Sequence, residues 1–368
     1  MARPNGRREF NISLITILLI LPVLGCTDSE VPRSVKNDQP TNSGISVYGQ
    51  TQGTTYAIMC NDRIRFTKRE IDSVLHGFDL ALSTYIPNSI ISQFNNASAG
   101  AFYYTDSDGY FNECVELSQS VYESTNGAFD PSVFTLLEMW GFLKDVENIP
   151  DSIDIRNALK YTGFKKDYHF IFKPSQIDSL PSKITKRTPE FKMVFNAIAQ
   201  GQAVDVLCAY LEKKGAKNYF VEIGGEVRVR GVNDQGNIWT IGIDKPVANS
   251  IANNRELINI IALDGKAVAT SGNYRQFYEK NGVKYAHTLN PKNGYPVNHS
   301  LLSATVVHES CALADAYATA FMVMGYEKTK KFVETNSDLG LDVFLIYNDE
   351  AGALVTYASD GFKAIIKS

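Results

Sequence analysis

Cysteine is sparse in this chain of 368 residues: there are five, and no two of them form a C-x-x-C pair. That spacing excludes a zinc–thiolate centre and a small disulfide-built scaffold. The five histidines, His76, His169, His287, His299 and His308, show no metal-binding spacing either. Neither sign of charge dominates, since 36 Lys+Arg against 40 Asp+Glu leave a formal charge of −4. Without a basic run, a dedicated nucleic-acid binder is excluded. No apolar run approaches the roughly 20 residues that a membrane-spanning helix needs. A Walker loop, a G-x-S-x-G elbow and a zinc signature are all missing, so the common phosphate-binding, hydrolase and zinc motifs give no lead.

What remains is ordinary globular material, 44% apolar and 21% charged. At roughly 100–200 residues per domain, this length gives one large domain or two intimate ones. The first 25 residues read as a signal peptide. Arg3, Arg7 and Arg8 precede the apolar stretch Ile12 to Leu24, which is the order of an export signal. The stretch ends at Val23-Leu24-Gly25-Cys26, which resembles a bacterial lipobox with Cys26 as the lipidated residue. An ordinary signal peptide with an incidental cysteine is the plainer alternative. More than one acyl chain anchors a protein stably, so the lipobox reading makes the chain an exported bacterial membrane lipoprotein facing the periplasm. Residues 26–44 are polar and aperiodic and read as a flexible tether, leaving 45–368 as the folded domain. Cys60, Cys114, Cys208 and Cys311 are expected as single buried thiols.

Within that domain the pattern predicts an α+β fold rather than a doubly wound one, because helices and strands interleave irregularly. Ile45 to Cys60 reads as extended. Thr67-Lys68-Arg69-Glu70 is a capping box opening a helix through Ile71, Leu75, Phe78 and Leu82. A second helix carries Val115, Leu117, Val121 and Tyr122 and stops at Asn126-Gly127. Residues 145–190 read as variable helix and loop. A helix is expected over 203–214, then strands over 219–223, 227–229, 239–243, 257–263, 285–289 and 304–307. A helix over 312–324, a last helix over 329–335 and a closing strand over 343–347 complete the expectation.

Three features carry possible chemistry. Gly201 stands near a helix start, where unpaired N–H groups attract anions. Asp315 and Thr319 are four apart on a helix, so their oxygens share one face and suit Mg²⁺. Spacing alone does not separate that from a capped, solvated helix face. His287, ahead of the turn Asn290 to Gly294, fits a general base near neutral pH and equally a structural histidine. The turn Gly224-Gly225-Glu226 is as consistent with a tight strand connection as with a site.

The order of the motifs resembles the FAD:protein FMN transferase, or ApbE, family. The blocks are Gly53-Thr54-Thr55-Tyr56; Ser83-Thr84-Tyr85 with Ser89 and Phe94-Asn95; and Gly127-Ala128-Phe129-Asp130-Pro131 with Trp140-Gly141-Phe142. Ala197-Ile198-Ala199-Gln200-Gly201 with Val204-Asp205 and Ile223-Gly224-Gly225-Glu226 follow. Ala269 to Arg275, His287 with Pro291-Lys292-Asn293-Gly294, and Ala314-Asp315-Ala316 with Thr319 close the series, which covers about residues 46–350. The resemblance implies an ApbE-like fold with mixed sheets, packed helices and a central FAD cleft. It implies an enzyme that uses FAD and Mg²⁺, passes FMN to a threonine of an acceptor protein such as a redox-pump subunit, and releases AMP. It further implies His287 as the base, Asp315, Thr319 and the Ala197 carbonyl as metal ligands, and Tyr85 as a platform for the flavin ring. Ala128, Phe129 and Asp130 would line the adenosine side, and Gln52, Gln200 and Leu289 match further FAD contacts. The chain departs from the family pattern at Val194 (commonly Asp), Gln200 (frequently Lys), Gln52 (frequently Met) and Asn290 (Asp). A flavin-binding lipoprotein that captures FAD, or hydrolyses it to FMN and AMP without a protein acceptor, would carry the same motifs.

Overall fold

The structure is a computed structural model that describes residues 44–144, 146, 148–165, 167–175, 180–246, 256–273, 277–280, 283–286 and 288–367. The proposed signal peptide, the tether up to residue 43, Cys26, Tyr274, Arg275 and His287 lie outside the described residues. The elements in chain order are β1 (Ile45–Thr51), β2 (Thr54–Cys60), α1 (Lys68–Leu82), α2 (Ile90–Asn96), β3 (Gly100–Tyr104), α3 (Tyr110–Ser124), α4 (Phe134–Met139) and α5 (Ser152–Leu159). Then come β4 (Phe170–Lys173), β5 (Ser182–Lys186), α6 (Ala199–Lys213), β6 (Tyr219–Ile223), β7 (Glu226–Arg230), β8 (Trp239–Asp244), β9 (Leu257–Leu263) and β10 (Ala267–Gly272). The chain continues through β11 (Phe277–Lys280), β12 (Val283–Ala286), β13 (Leu301–His308), α7 (Cys311–Met324), α8 (Tyr326–Thr335), β14 (Asp342–Asn348), β15 (Leu354–Ala358) and α9 (Asp360–Ile365).

An eight-stranded sheet in the order β1-β2-β6-β7-β10-β13-β14-β15 organises the molecule, with a smaller sheet β3-β5-β4 and the hairpins β8-β9 and β11-β12 beside it. The α+β class holds. Where mixed sheets were expected, the pairings are antiparallel throughout the described residues. Side chains alternate across a strand, and here both faces are buried. Ala269, Ala304, Val306, Val343 and Leu345 point into the main core with α1, α3, α6 and α7. Val227, Val229, Val268, Val307, Phe344 and Ile346 point the other way, onto the β8-β9 hairpin and Phe362 of α9. Burial on both faces explains why these strands read as continuous apolar runs rather than alternating ones.

Helix α1 carries the full capping box, with Thr67 and Glu70 bonding reciprocally. Helix α7 starts at the N-cap Ser310 and is buried nearly all round, from Cys311 to Met322. Its alanines let it lie close on β10 and β13. Gly201 permits an equally close approach of α6: a Cβ there would meet the Cys311 carbonyl carbon at 2.7 Å and Ala312 Cα at 2.9 Å.

Several expectations are corrected. Residues 145–190, read as helix and loop, also contain the strands β4 and β5. β5 was masked because an inward position is Lys186, only 1% exposed, whose ammonium donates to the carbonyls of Phe94, Asn95 and Ala97, each at 3.1 Å. The strand expected over 285–289 ends at Ala286, and Leu289 instead forms an isolated bridge with Pro296. α6 begins at Ala199, four residues earlier than expected, so Gly201 lies within its first turn. The helix expected last starts at Tyr326 and is followed by β15 and α9. Cys60, Cys114, Cys208 and Cys311 are buried free thiols, as expected.

Candidate active site

The site grows from the first turn of α6. The loop before it, Phe191 to Ile198, is pinned on both sides. Asn95 bonds Met193 twice at 2.8 Å, accepting from its N–H and donating to its carbonyl. The Val194 N–H donates to the Pro131 carbonyl at 2.8 Å. Val194, at a position where the family commonly has Asp, is 4% exposed and spends its backbone on this tie. The loop therefore delivers the half-buried Ala197 and the N-terminus of α6 to a defined place.

There the Gly201 N–H, one of the first-turn donors without an intrahelical partner, donates to Asp315 Oδ2 at 3.2 Å. Asp315 is 7% exposed on the core helix α7, so the solvated-face alternative does not apply to it. Burial pushes its carboxyl above the usual range, while the Gly201 N–H pulls the other way. One turn on, Thr319 Oγ1 lies 3.2 Å from Ser271 Oγ at the end of β10. The N-terminus of α7 is itself locked by Asp205 of α6. That carboxylate accepts from Ser310 Oγ at 2.8 Å, from the Cys311 and Ala312 N–H groups at 3.0 Å, and from Arg228 Nη1 at 2.6 Å.

The β6–β7 turn closes the site from the sheet side. Ile223 faces Glu226 in register, and Gly224 and Gly225 take φ of +67° and +115° in the two-residue turn between them. Only glycine takes both without strain. The Gly224 N–H donates to the Thr55 carbonyl at 3.1 Å, which ties this turn to β2. A Cβ on Gly224 would meet Gln200 Nε2 at 2.9 Å, so Gln200 lies directly over the turn. Glu226 is 7% exposed, and its Oε2 is buried without a hydrogen-bond partner. Burial pushes its carboxyl up, and the neighbouring Asp315 charge pushes it further. Sequence alone does not single out Glu226 or Ser271 as site residues: Gly224-Gly225-Glu226 reads equally as a tight strand connection and as a site until its burial is seen.

The remaining positions frame these. Gln52 sits in the β1–β2 turn at φ +49°, with its Nε2 buried and without a hydrogen-bond partner among the described residues. Ala128, Phe129 and Asp130 are buried between α3 and the 3₁₀ turn Pro131–Val133, next to the Pro131–Val194 tie. Asp130 accepts from the Ser132 N–H at 2.8 Å, and burial raises its carboxyl to about 6. Leu289 packs with Leu136, Trp140, Ile155 and Ala158, and Trp140 Nε1 holds the Gly294 carbonyl at 2.8 Å. Thus the β1–β2 and β6–β7 turns, the α6 N-terminus and α7 converge: Thr54 and Gln200 lie against Gly224, and Gly201, next to Gln200, holds Asp315. Tyr85 is 71% exposed in the turn before α2.

A divalent cation fits this chemistry. Asp315 and Glu226 are two buried carboxylates with no Lys or Arg partner among the described residues. The described residues hold no group of three or more His, Cys, Asp or Glu that could hold a metal ion. Two carboxylates with hydroxyl, carbonyl or water oxygens beside them make the oxygen set that suits Mg²⁺ rather than zinc.

Residues 52–345 match the ApbE family. The chain is 33% identical over 333 residues to an FAD:protein FMN transferase of Vibrio cholerae, covering 88% of this chain and 92% of that protein. It superposes on the flavin transferase ApbE from Vibrio cholerae with a TM-score of 0.75 at 32% identity, covering 88% of this chain and 99% of that one. The apo flavinyl transferase ApbE of Pseudomonas stutzeri gives 0.74 at 31% identity, covering 88% and 96%.

Proposed function

The chain belongs to the ApbE family, and from that premise we propose that it is an FAD:protein FMN transferase, moving the FMN half of FAD onto an acceptor protein. The observation that carries the reading is the buried Asp315 carboxylate at the first turn of α6, inside a family match spanning 52–345. The acceptor group is a threonine hydroxyl. Its oxygen attacks the FMN phosphorus, the bond from that phosphorus to the AMP oxygen breaks, and AMP leaves. His287 takes the hydroxyl proton.

Asp315, Thr319 and the Ala197 carbonyl would hold Mg²⁺, which would supply positive charge to the substrate's phosphates and so make AMP a better leaving group. The chain's own part is positioning. Asp205 locks the start of α7, Asn95 and Pro131 lock the loop carrying Ala197, and the α6 N-terminus offers partial positive charge to phosphate oxygens. Exposed Tyr85 stacks on the flavin ring. Ala128, Phe129 and Asp130 line the adenosine side, and Gln52, Gln200 and Leu289 make further FAD contacts. Gln200 brings hydrogen bonds but no charge.

The test is incubation with FAD, Mg²⁺ and a threonine-bearing acceptor domain, followed by mass spectrometry of the acceptor. The expected result is a covalent FMN adduct with AMP released. FMN appearing only in solution overturns transfer in favour of FAD hydrolysis. The chain is exported and held at a bacterial membrane by lipid on Cys26, its acceptor being a redox-pump or electron-transfer subunit on the same side. No helix among the described residues is long and apolar enough to cross a membrane. A Cys26→Ser variant that stays in the membrane fraction would exclude the anchor.

A further inference from the structure

Glu226 is a buried acid that the mechanism above leaves unused. It is the first residue of β7, and contacts on three elements enclose it. Gly224, two residues earlier, packs under Gln200 at the start of α6. Gly201, the next residue of that helix, donates to Asp315 of α7 at 3.2 Å. Cys311, one turn before Asp315, lies with its Sγ 3.8 Å from the carbonyl of Val227, the residue after Glu226. These contacts link β7, α6 and α7, the elements that carry Glu226 and Asp315, and the Asp315 charge acts on Glu226 as a neighbouring like charge.

A carboxylate oxygen buried without a donor is strongly unfavourable, and a second carboxylate beside it makes matters worse. The Asp315 charge has only one N–H donor, and Glu226 Oε2 has none. Among the described residues no lysine or arginine reaches either, although Arg228, two residues along β7, is committed to Asp205 at 2.6 Å. We propose that Glu226 belongs to the divalent-cation site, supplying through its free Oε2 a second carboxylate beside Asp315. The site then has a charge of −2 to set against Mg²⁺, with Thr319 and the Ala197 carbonyl as neutral oxygen donors. This rests on the reading that Asp315 holds the ion.

The experiment uses the full chain without FAD. Mn²⁺ binding is followed by the loss of its free-ion EPR signal, and thermal melting is recorded in EDTA and in excess Mg²⁺, for wild type, Glu226→Gln and Asp315→Asn. The Gln side chain keeps the size of Glu226 and removes the charge. Glu226→Gln should weaken Mn²⁺ binding by about 10- to 100-fold. In EDTA it should melt no lower than wild type, because no hydrogen bond to Oε2 is lost, while its Mg²⁺-induced rise in Tm shrinks. That pair of effects is opposite to what loss of a structural hydrogen bond produces. Unchanged Mn²⁺ affinity in Glu226→Gln, with affinity lost in Asp315→Asn, overturns the role of Glu226 and leaves the metal reading standing. A lower Tm or loss of fold in EDTA marks Glu226 as structural and also overturns the proposal. No Mn²⁺ binding by wild type, or equal binding by wild type and Asp315→Asn, overturns both.

Discussion

Asp130→Asn is the sharpest test of the site's electrostatics, because one buried carboxylate there has a legible energy. Asp130 is 8% exposed, and its Oδ1 accepts from the Ser132 N–H at 2.8 Å and from Ser132 Oγ at 2.5 Å. Despite these bonds, and one from the Phe164 N–H, burial raises its carboxyl from 3.8 to about 6. That rise corresponds to about 3 kcal/mol. The sign follows from proton counting. Between the unfolded and folded values the native state holds the proton and the unfolded chain does not, so stability falls as pH rises through that window. The penalty is nearly absent at pH 4 and fully present above about pH 7. An asparagine keeps the Oδ1 acceptor for Ser132 but turns amide hydrogens toward the Phe164 N–H, which costs about 1 kcal/mol. The variant should therefore be about 2 kcal/mol more stable than wild type at pH 8. The difference between the two proteins should shrink by about 2 kcal/mol on going to pH 4. Urea unfolding at both pH values measures this. A difference that is the same at pH 4 and pH 8 would refute the buried-charge account. If Asp130 also lines the adenosine side, the stabilised variant binds FAD more weakly, which separates its functional from its folding role.

Three further changes probe the scaffold and the chemistry. Gly201→Ala places a methyl against the Cys311–Ala312 backbone and should destabilise by about 1–3 kcal/mol by prising α6 from α7; an unshifted melting temperature would mean the two helices are free to separate. Lys186→Met removes the ammonium that satisfies three carbonyls at the end of α2 and should lower stability by about 3 kcal/mol; a neutral outcome in chemical denaturation would show that water replaces it. His287→Ala should lower transfer by about 10²–10⁴-fold while FAD still quenches or shifts its fluorescence on binding, and loss of binding instead would remove the base assignment.

How far the fold could be read from sequence depended on how many faces each element buries. The capping box at Thr67 marked α1 to the residue, and the strands Tyr219–Ile223 and Leu257–Leu263 were legible with their full bounds. The helix expected over 312–324 differs from α7 by one residue. β10 escaped because Ala-Val-Ala-Thr-Ser-Gly offers small side chains and no alternation, its slimness serving α7 on one face. β5 escaped because a lysine occupies an inward position, and only the carbonyls at the end of α2, far off in sequence, make that position tolerable. The same distinction runs through the site. Asp315 and Thr319 share a helix face by spacing alone, yet spacing says nothing about whether that face meets water or the core. Burial decides it, and burial is a property of the sheet beneath α7, assembled from strands more than a hundred residues apart in the chain. Glu226 is the extreme case: a glutamate after two glycines fits a tight strand connection as well as a site, and its meaning depends on Asp315 arriving beside it. The order of motifs was informative where local patterns were not because it records which distant segments must meet. A buried acid pair leaves no local trace, so the carboxylate whose charge is least compensated in the fold was the hardest to find in the sequence.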